Sequence, residues 1–146
     1  MHYTGTIWRP PYEAGSLLIQ VTAGCTHHRC KFCTLYDDLP FRFRLSPMEE
    51  VEADLLEAQM ELRGIEEARL KLGGLERRPQ VGRVFLVGAN PFALAFAKLE
   101  KIARLVRQYF PECRTIGCFA RVTDVARKSR EELAELSRLG YDGLSM

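Results

Sequence analysis

Three of the five cysteines stand together in Gly24-Cys25-Thr26-His27-His28-Arg29-Cys30-Lys31-Phe32-Cys33, with four and then two residues between the thiols. That spacing lets one loop wrap three sulfurs around one small object. Soft thiolates select zinc, copper(I) or an iron-sulfur cluster. A structural zinc ion takes four protein ligands, so zinc would recruit His27 or His28 as the fourth. A cubane iron-sulfur cluster on three cysteines would instead keep one iron open to a ligand. An odd cysteine count with three in one short stretch suits reduced thiols in a cell interior better than a disulfide framework. Cys118, in an apolar run, reads as a small core residue, while Cys113 after Pro111 could be either packed or reactive.

Other polar positions are weaker candidates. Gly88-Ala89-Asn90-Pro91 reads as a strand-to-helix turn, with glycine for backbone freedom and asparagine as N-cap before proline. Arg121 follows an apolar run, and its guanidinium could pair with a ligand carboxylate or simply lie in solvent. His27 and His28 are adjacent, so both cannot face one metal from an extended loop; a hydrogen-bonding role around the thiols is open to either. The chain has no Ser/His/Asp order, no phosphate loop and no dinucleotide fingerprint.

The elements around these residues alternate. Residues 1–15, rich in turn formers and carrying Trp8, read as an irregular strap, and residues 16–146 as the body of the domain. Ser16 to Thr22 reads as a buried strand, which puts the cysteines in the loop that follows it. Phe41-Arg42-Phe43-Arg44 alternates, with the phenylalanines expected inward. Ser46-Pro47-Met48-Glu49 predicts a capping box opening a helix whose inner face is Val51, Leu55, Ala58, Leu62 and Ile65, ended by Gly73-Gly74. Arg83 to Gly88 predicts a second strand, and Ala95, Leu99, Ile102, Val106 and Tyr109 the inner face of a second helix. Thr115 to Ala120 predicts a third strand, Ser129-Arg130-Glu131-Glu132 another capping box, and Gly143 to Met146 the start of a fourth strand.

Strand and helix alternating at ~30 residues per unit imply right-handed crossovers and a parallel sheet. The expected class is α/β, a partial (β/α) barrel of the TIM type with about four parallel strands, since a closed eight-unit barrel needs about 250 residues and this chain has 146. The last strand reads as cut in mid-run. An open sheet edge of that kind implies self-association.

From Trp8-Arg9-Pro10-Pro11 through Leu18-Ile19-Gln20-Val21-Thr22-Ala23-Gly24-Cys25 to Cys33, the chain resembles the start of a radical S-adenosylmethionine (radical SAM) protein. The resemblance implies that Cys25, Cys30 and Cys33 hold a 4Fe-4S cluster in the loop after the first strand. Phe32 takes the place of the aromatic residue that packs near the adenine of S-adenosylmethionine. Gly88, Ala89 and Asn90 stand, imperfectly matched, where such proteins carry a Gly-Gly-Glu-like turn for the SAM amino group, and Arg121 is placed to meet its carboxylate. The usual first cysteine spacing is three residues and here it is four, a departure shared with members having a similar Gly-Cys-Thr/Ser-His opening; it bears on the subfamily more than on the superfamily. The implied activity is reductive cleavage of SAM to a 5′-deoxyadenosyl radical, with electrons from a donor such as a flavodoxin or ferredoxin and an unknown substrate. The competing expectation is a zinc-binding interaction module using the same cysteines with His27 or His28.

Composition excludes several classes. With 47% apolar and 27% charged residues the chain can bury a core. Its longest apolar run, Phe92 to Ala97, is far short of the ~20 residues of a membrane-spanning helix. Twenty-one basic against 19 acidic residues, interspersed, make nucleic acid an improbable partner. The first residues have neither the basic start nor the apolar stretch of a secretory signal, so a cytoplasmic location is expected.

Overall fold

The computed structural model of the chain describes residues 1–74 and 79–146. Four parallel strands, β1 (Leu17–Gln20), β4 (Arg83–Val87), β5 (Thr115–Phe119) and β6 (Tyr141–Ser145), lie side by side in that order. A second, two-stranded antiparallel sheet joins β2 (Thr22–Gly24) to β3 (Phe43–Leu45). The helices are α1 (Met48–Lys71), α2 (Phe96–Tyr109), the short α3 (Val122–Ala126) and α4 (Arg130–Arg138). The fold is mixed α/β, and neighbours in the parallel sheet follow the order of the chain.

Alternation along the strands sorts the core. Ile19, Val84, Leu86, Ile116 and Cys118 point to one face, where they meet Val51, Leu55 and Ala58 of α1, Leu99, Ile102 and Val106 of α2, and Leu136 of α4. Each such large apolar side chain contributes roughly 1.5–3 kcal/mol by leaving water. Central β4 is covered on both sides, and Val84 through Val87 are all buried, which is why it reads as a continuous apolar run.

Several expectations need correction. The run from Ser16 to Thr22 is two strands: it bends at Val21, whose N–H reaches Val87 O and whose C=O receives the Ser46 N–H, and then leaves the main sheet to pair with β3. That use of Ser46 also undoes the capping box expected there. Helix α1 begins at Met48 behind Pro47, with no side-chain cap. The box at Ser129 does form, Ser129 Oγ accepting from the Glu132 N–H at 3.1 Å. Ile65 is 45% exposed, because the 24 residues of α1 run ~36 Å at 1.5 Å each and overhang strands of four or five residues. Ala95 is exposed ahead of α2, and β6 starts at Tyr141, two residues before the expected glycine. Among the described residues no helix is long and apolar enough to cross a membrane.

The opposite face of the sheet carries Phe85, which stacks edge-on against Phe119 at 5.3 Å, and the charged Arg83. Here the N-terminal strap lies. Tyr3 donates to Leu18 O, Thr4 and Gln20 exchange two hydrogen bonds, and the Tyr12 hydroxyl meets Ser145 Oγ. A short helical turn, Pro11–Glu13, delivers the buried Glu13 carboxylate to Arg83 Nε and Nη2, the latter at 2.7 Å. Arg83 also donates to Thr115 Oγ1 and Asp142, so one guanidinium ties the strap to β4, β5 and β6 at their N-terminal ends.

The Arg83 hydrogen bonds hold the Glu13 carboxyl below its usual 4.5 in spite of burial. Its stabilising contribution is therefore complete above pH 4.5 and is lost as pH falls through the lowered folded value. Glu13→Gln should cost on the order of 2 kcal/mol at neutral pH and flatten the acid limb of the stability profile, as measured by urea unfolding across pH 3 to 7.

Candidate metal centre

The cysteine loop emerges between β2 and β3, at the carboxyl ends of the parallel strands, where ligands gather in such sheets. Gly24 opens it at φ 80°, with the Cys25 N–H bonded to Arg42 O. Tight turns follow: Cys33 N–H to Cys30 O, Asp37 N–H to Thr34 O, and Leu39 N–H to Tyr36 O. Phe41 and Phe43 are half-buried and Arg42 and Arg44 exposed, as the alternation predicts. Arg42 still has a structural task, since its guanidinium donates to Thr26 O and His27 O and braces the loop backbone.

One buried amide anchors the loop to the domain. Asn90 is 0% exposed. Its Nδ2 donates to Thr26 Oγ1 at 2.5 Å and to Asp124 Oδ2 at 3.2 Å, and its Oδ1 receives the Thr26 N–H. Asp124 is itself buried at the start of α3, where Oδ2 also accepts the Arg121 N–H at 2.8 Å. Asn90 precedes a helical turn, Pro91–Ala93, as expected, but its side chain caps nothing there. Lys128 closes the cluster, donating to Phe92 O and Asp124 O and lying 4.4 Å above the Phe92 ring; burial lowers its pKa.

All three loop cysteines are free thiols lining one small cavity of about 30 Å³ with His28, Tyr36 and Asp37. His28 donates its backbone N–H toward Cys25 Sγ at 3.5 Å, and its Nε2 lies 3.1 Å from Asp37 Oδ1. Burial first, and then the neighbouring Cys25 and Cys33, push the Tyr36 phenol up to about 12. Among the described residues no three Cys, His, Asp or Glu side chains are gathered tightly enough to hold an ion without moving, so a metal would have to draw the thiols inward. On the far side of His28 an open cavity of about 390 Å³ is lined by Arg29, Leu39, Pro40, Phe41 and Arg42.

The remaining expected residues separate. Phe32 stands at the tip of the cysteine turn, 90% exposed. Gly88 adopts φ 141° and lies against Thr22, where a Cβ would come within 1.9 Å of Oγ1; that hydroxyl is buried with no hydrogen-bond partner. Ala89 is half-buried beside it. Arg121 is half-buried on the same rim, and its guanidinium makes no hydrogen bond or ion pair among the described residues. His27 is half-buried away from the thiol cavity, which His28 alone of the pair lines. Thr26, Asp124 and Asp37 went unnoticed in the sequence, and only the folded contacts single them out.

Cys113 and Cys118 are buried, and desolvation raises both thiols, Cys118 to about 12. Iodoacetamide should therefore label Cys25, Cys30 and Cys33 in the native chain and reach the other two only after unfolding, as read by peptide mass analysis. Asn90→Leu leaves the Asp124 carboxylate short of a donor in a buried place. It should cost about 1–3 kcal/mol and accelerate labelling of Cys25. No family model, no curated protein and no solved structure matches this chain.

Proposed function

We propose that the chain is the first part of a radical SAM core, a partial (β/α) barrel whose Cys25, Cys30 and Cys33 hold a 4Fe-4S cluster. The observation that carries this reading is the set of three unpaired thiols lining one cavity at the carboxyl rim of a parallel sheet. Donor number and softness suit such a cluster. An open cavity beside it falls within the size range of small-molecule sites and carries two arginines suited to a carboxylate. When bound, the cluster supplies the electron that cleaves SAM reductively, and the protein supplies position and exclusion of water.

The chain's own residues divide that work. Asn90, through Thr26, holds the start of the loop at the rim. Arg42 braces the carbonyls of residues 26 and 27 from the other side. Tyr36 keeps its proton beside two thiols and can donate a hydrogen bond to sulfur. Arg121, free of protein partners among the described residues, is available on the rim to a ligand carboxylate, and Gly88 lets the backbone pack closely against Thr22 beside it.

A second reading has one specific observation in its favour. His28 shares the thiol cavity, which would give zinc a Cys₃His set in an interaction module. Anaerobic reconstitution followed by iron, zinc and sulfide analysis separates the two. About four irons and four sulfides per chain are expected, with an electron paramagnetic resonance signal that SAM perturbs, and Cys→Ala at 25, 30 or 33 should abolish it. One zinc without sulfide would replace the radical SAM reading with the zinc module.

A further inference from the structure

The charges of the chain are mixed along the sequence and sorted by the fold. Helix α1 takes up eight acidic residues against Arg63, Arg69 and Lys71. The cysteine loop, residues 25–44, holds Arg29, Lys31, Arg42 and Arg44, all exposed, against Asp37 and Asp38, and Asp37 is already met by His28 Nε2. Arg29 and Lys31 make no hydrogen bond or ion pair among the described residues. Of its five N–H donors, each of Arg42 and Arg44 spends only those of Nη2, on loop carbonyls and on Thr4 Oγ1. A chain of net charge +2 thus presents a cationic rim that the interspersed charges of the sequence concealed.

Two aromatic rings stand among these cations. Phe32, next to Lys31 at the tip of the turn, is 90% exposed. Phe41 lines the open cavity of about 390 Å³ together with Leu39, Pro40, Arg29 and Arg42, and no acidic side chain is among its described lining residues. Arg44 Cζ lies 5.1 Å from the centre of the Phe41 ring. A cavity of that volume accepts a small molecule or one flat ring of a larger one. Apolar walls, one aromatic face and two guanidiniums suit an uncharged ring carried on an anionic backbone.

We propose that the cationic rim of the cysteine loop is a binding surface for single-stranded nucleic acid. Its phosphates lie along Arg29, Lys31, Arg42 and Arg44, one base enters the cavity against Phe41, and another stacks on Phe32. Aromatic platforms beside a positive track are how single strands are held without sequence readout. A duplex keeps its base faces inside the stack and offers none to either ring. An acidic protein would satisfy the arginines and leave Phe32 in water. The surface rests on exposure and charge, not on the metal assigned to the thiols, and a strand bound there lies beside them.

The test is fluorescence anisotropy with the full chain, in the metal state that anaerobic reconstitution gives, and a labelled single-stranded oligouridylate of about twelve nucleotides. Affinity should fall steeply from about 50 to about 200 mM salt. Arg29→Ala and Lys31→Ala should each lower the slope of log Kd against log salt by about 0.7, the single-strand value for one lost phosphate contact. Phe32→Ala should weaken binding roughly tenfold and leave that slope unchanged, a combination that a bare positive patch does not produce. All three side chains are exposed, so the circular dichroism of each variant should match that of the parent. A duplex with oligoadenylate, or polyglutamate, that competes as well as the single strand overturns the proposal, polyglutamate in favour of an acidic protein partner. Unchanged affinity in Phe32→Ala, or no binding at about 50 mM salt, overturns it as well. None of these results bears on the 4Fe-4S reading, which the iron and sulfide analysis decides separately.

Discussion

The buried amide of Asn90 is the constraint from which the upper rim is built. An amide removed from water must find partners for its N–H and C=O groups, and here they come from two separate segments, Thr26 at the start of the cysteine loop and Asp124 at the start of α3. Asp124 in turn is a buried carboxylate, tolerable only because Asn90 and the Arg121 N–H supply donors and Lys128 stands nearby. Loosening any one of these groups would leave another unsatisfied. The network thus sets the position of the first thiol relative to β4 and β5, although none of its members is a metal ligand.

Burial sorts the five cysteines into two kinds. Cys113 and Cys118 sit where a thiolate would be desolvated, remain protonated and act as small apolar residues in the core. Cys25, Cys30 and Cys33 lie in a loop, half-buried or exposed, close enough to one another to line a common cavity. Asn90 and Arg42 brace the entry to the loop at Thr26 and His27, while a backbone turn from Cys30 to Cys33 carries the other two thiols.

The lower end of the sheet is stabilised differently. Arg83 points into the face opposite the helices, where a charged group needs company, and the strap supplies it through Glu13. The strap therefore is part of the domain's closure, binding β1 near its start and reaching β6 through Tyr12. Rim and base are linked by β4, which starts at Arg83 and runs out into Gly88 and Asn90. A single strand thus connects the ion pair that stabilises the fold to the amide that positions the loop.

The sequence by itself determined the order of the four parallel strands and of α1, α2 and α4 between them, the placement of the cysteines in the segment that follows β1, the capping box at Ser129 and the core role of Cys118, but neither the small β2–β3 sheet nor α3. All of these follow from local periodicity, cap chemistry and chain order, which act over a few residues. It did not reveal the bend at Val21, the loss of the Ser46 cap, the overhang of Ile65, or the pairing of β2 with β3, because each depends on what a distant segment offers in hydrogen bonds or cover. The site divides in the same way. The three thiols were legible from spacing, but Asn90 read as a helix cap until Thr26 and Asp124 were brought beside it from 64 and 34 residues away. His27 and His28 are equivalent in the sequence. Only the fold distinguishes them, by turning the His28 backbone left-handed and setting that residue against the thiol cavity.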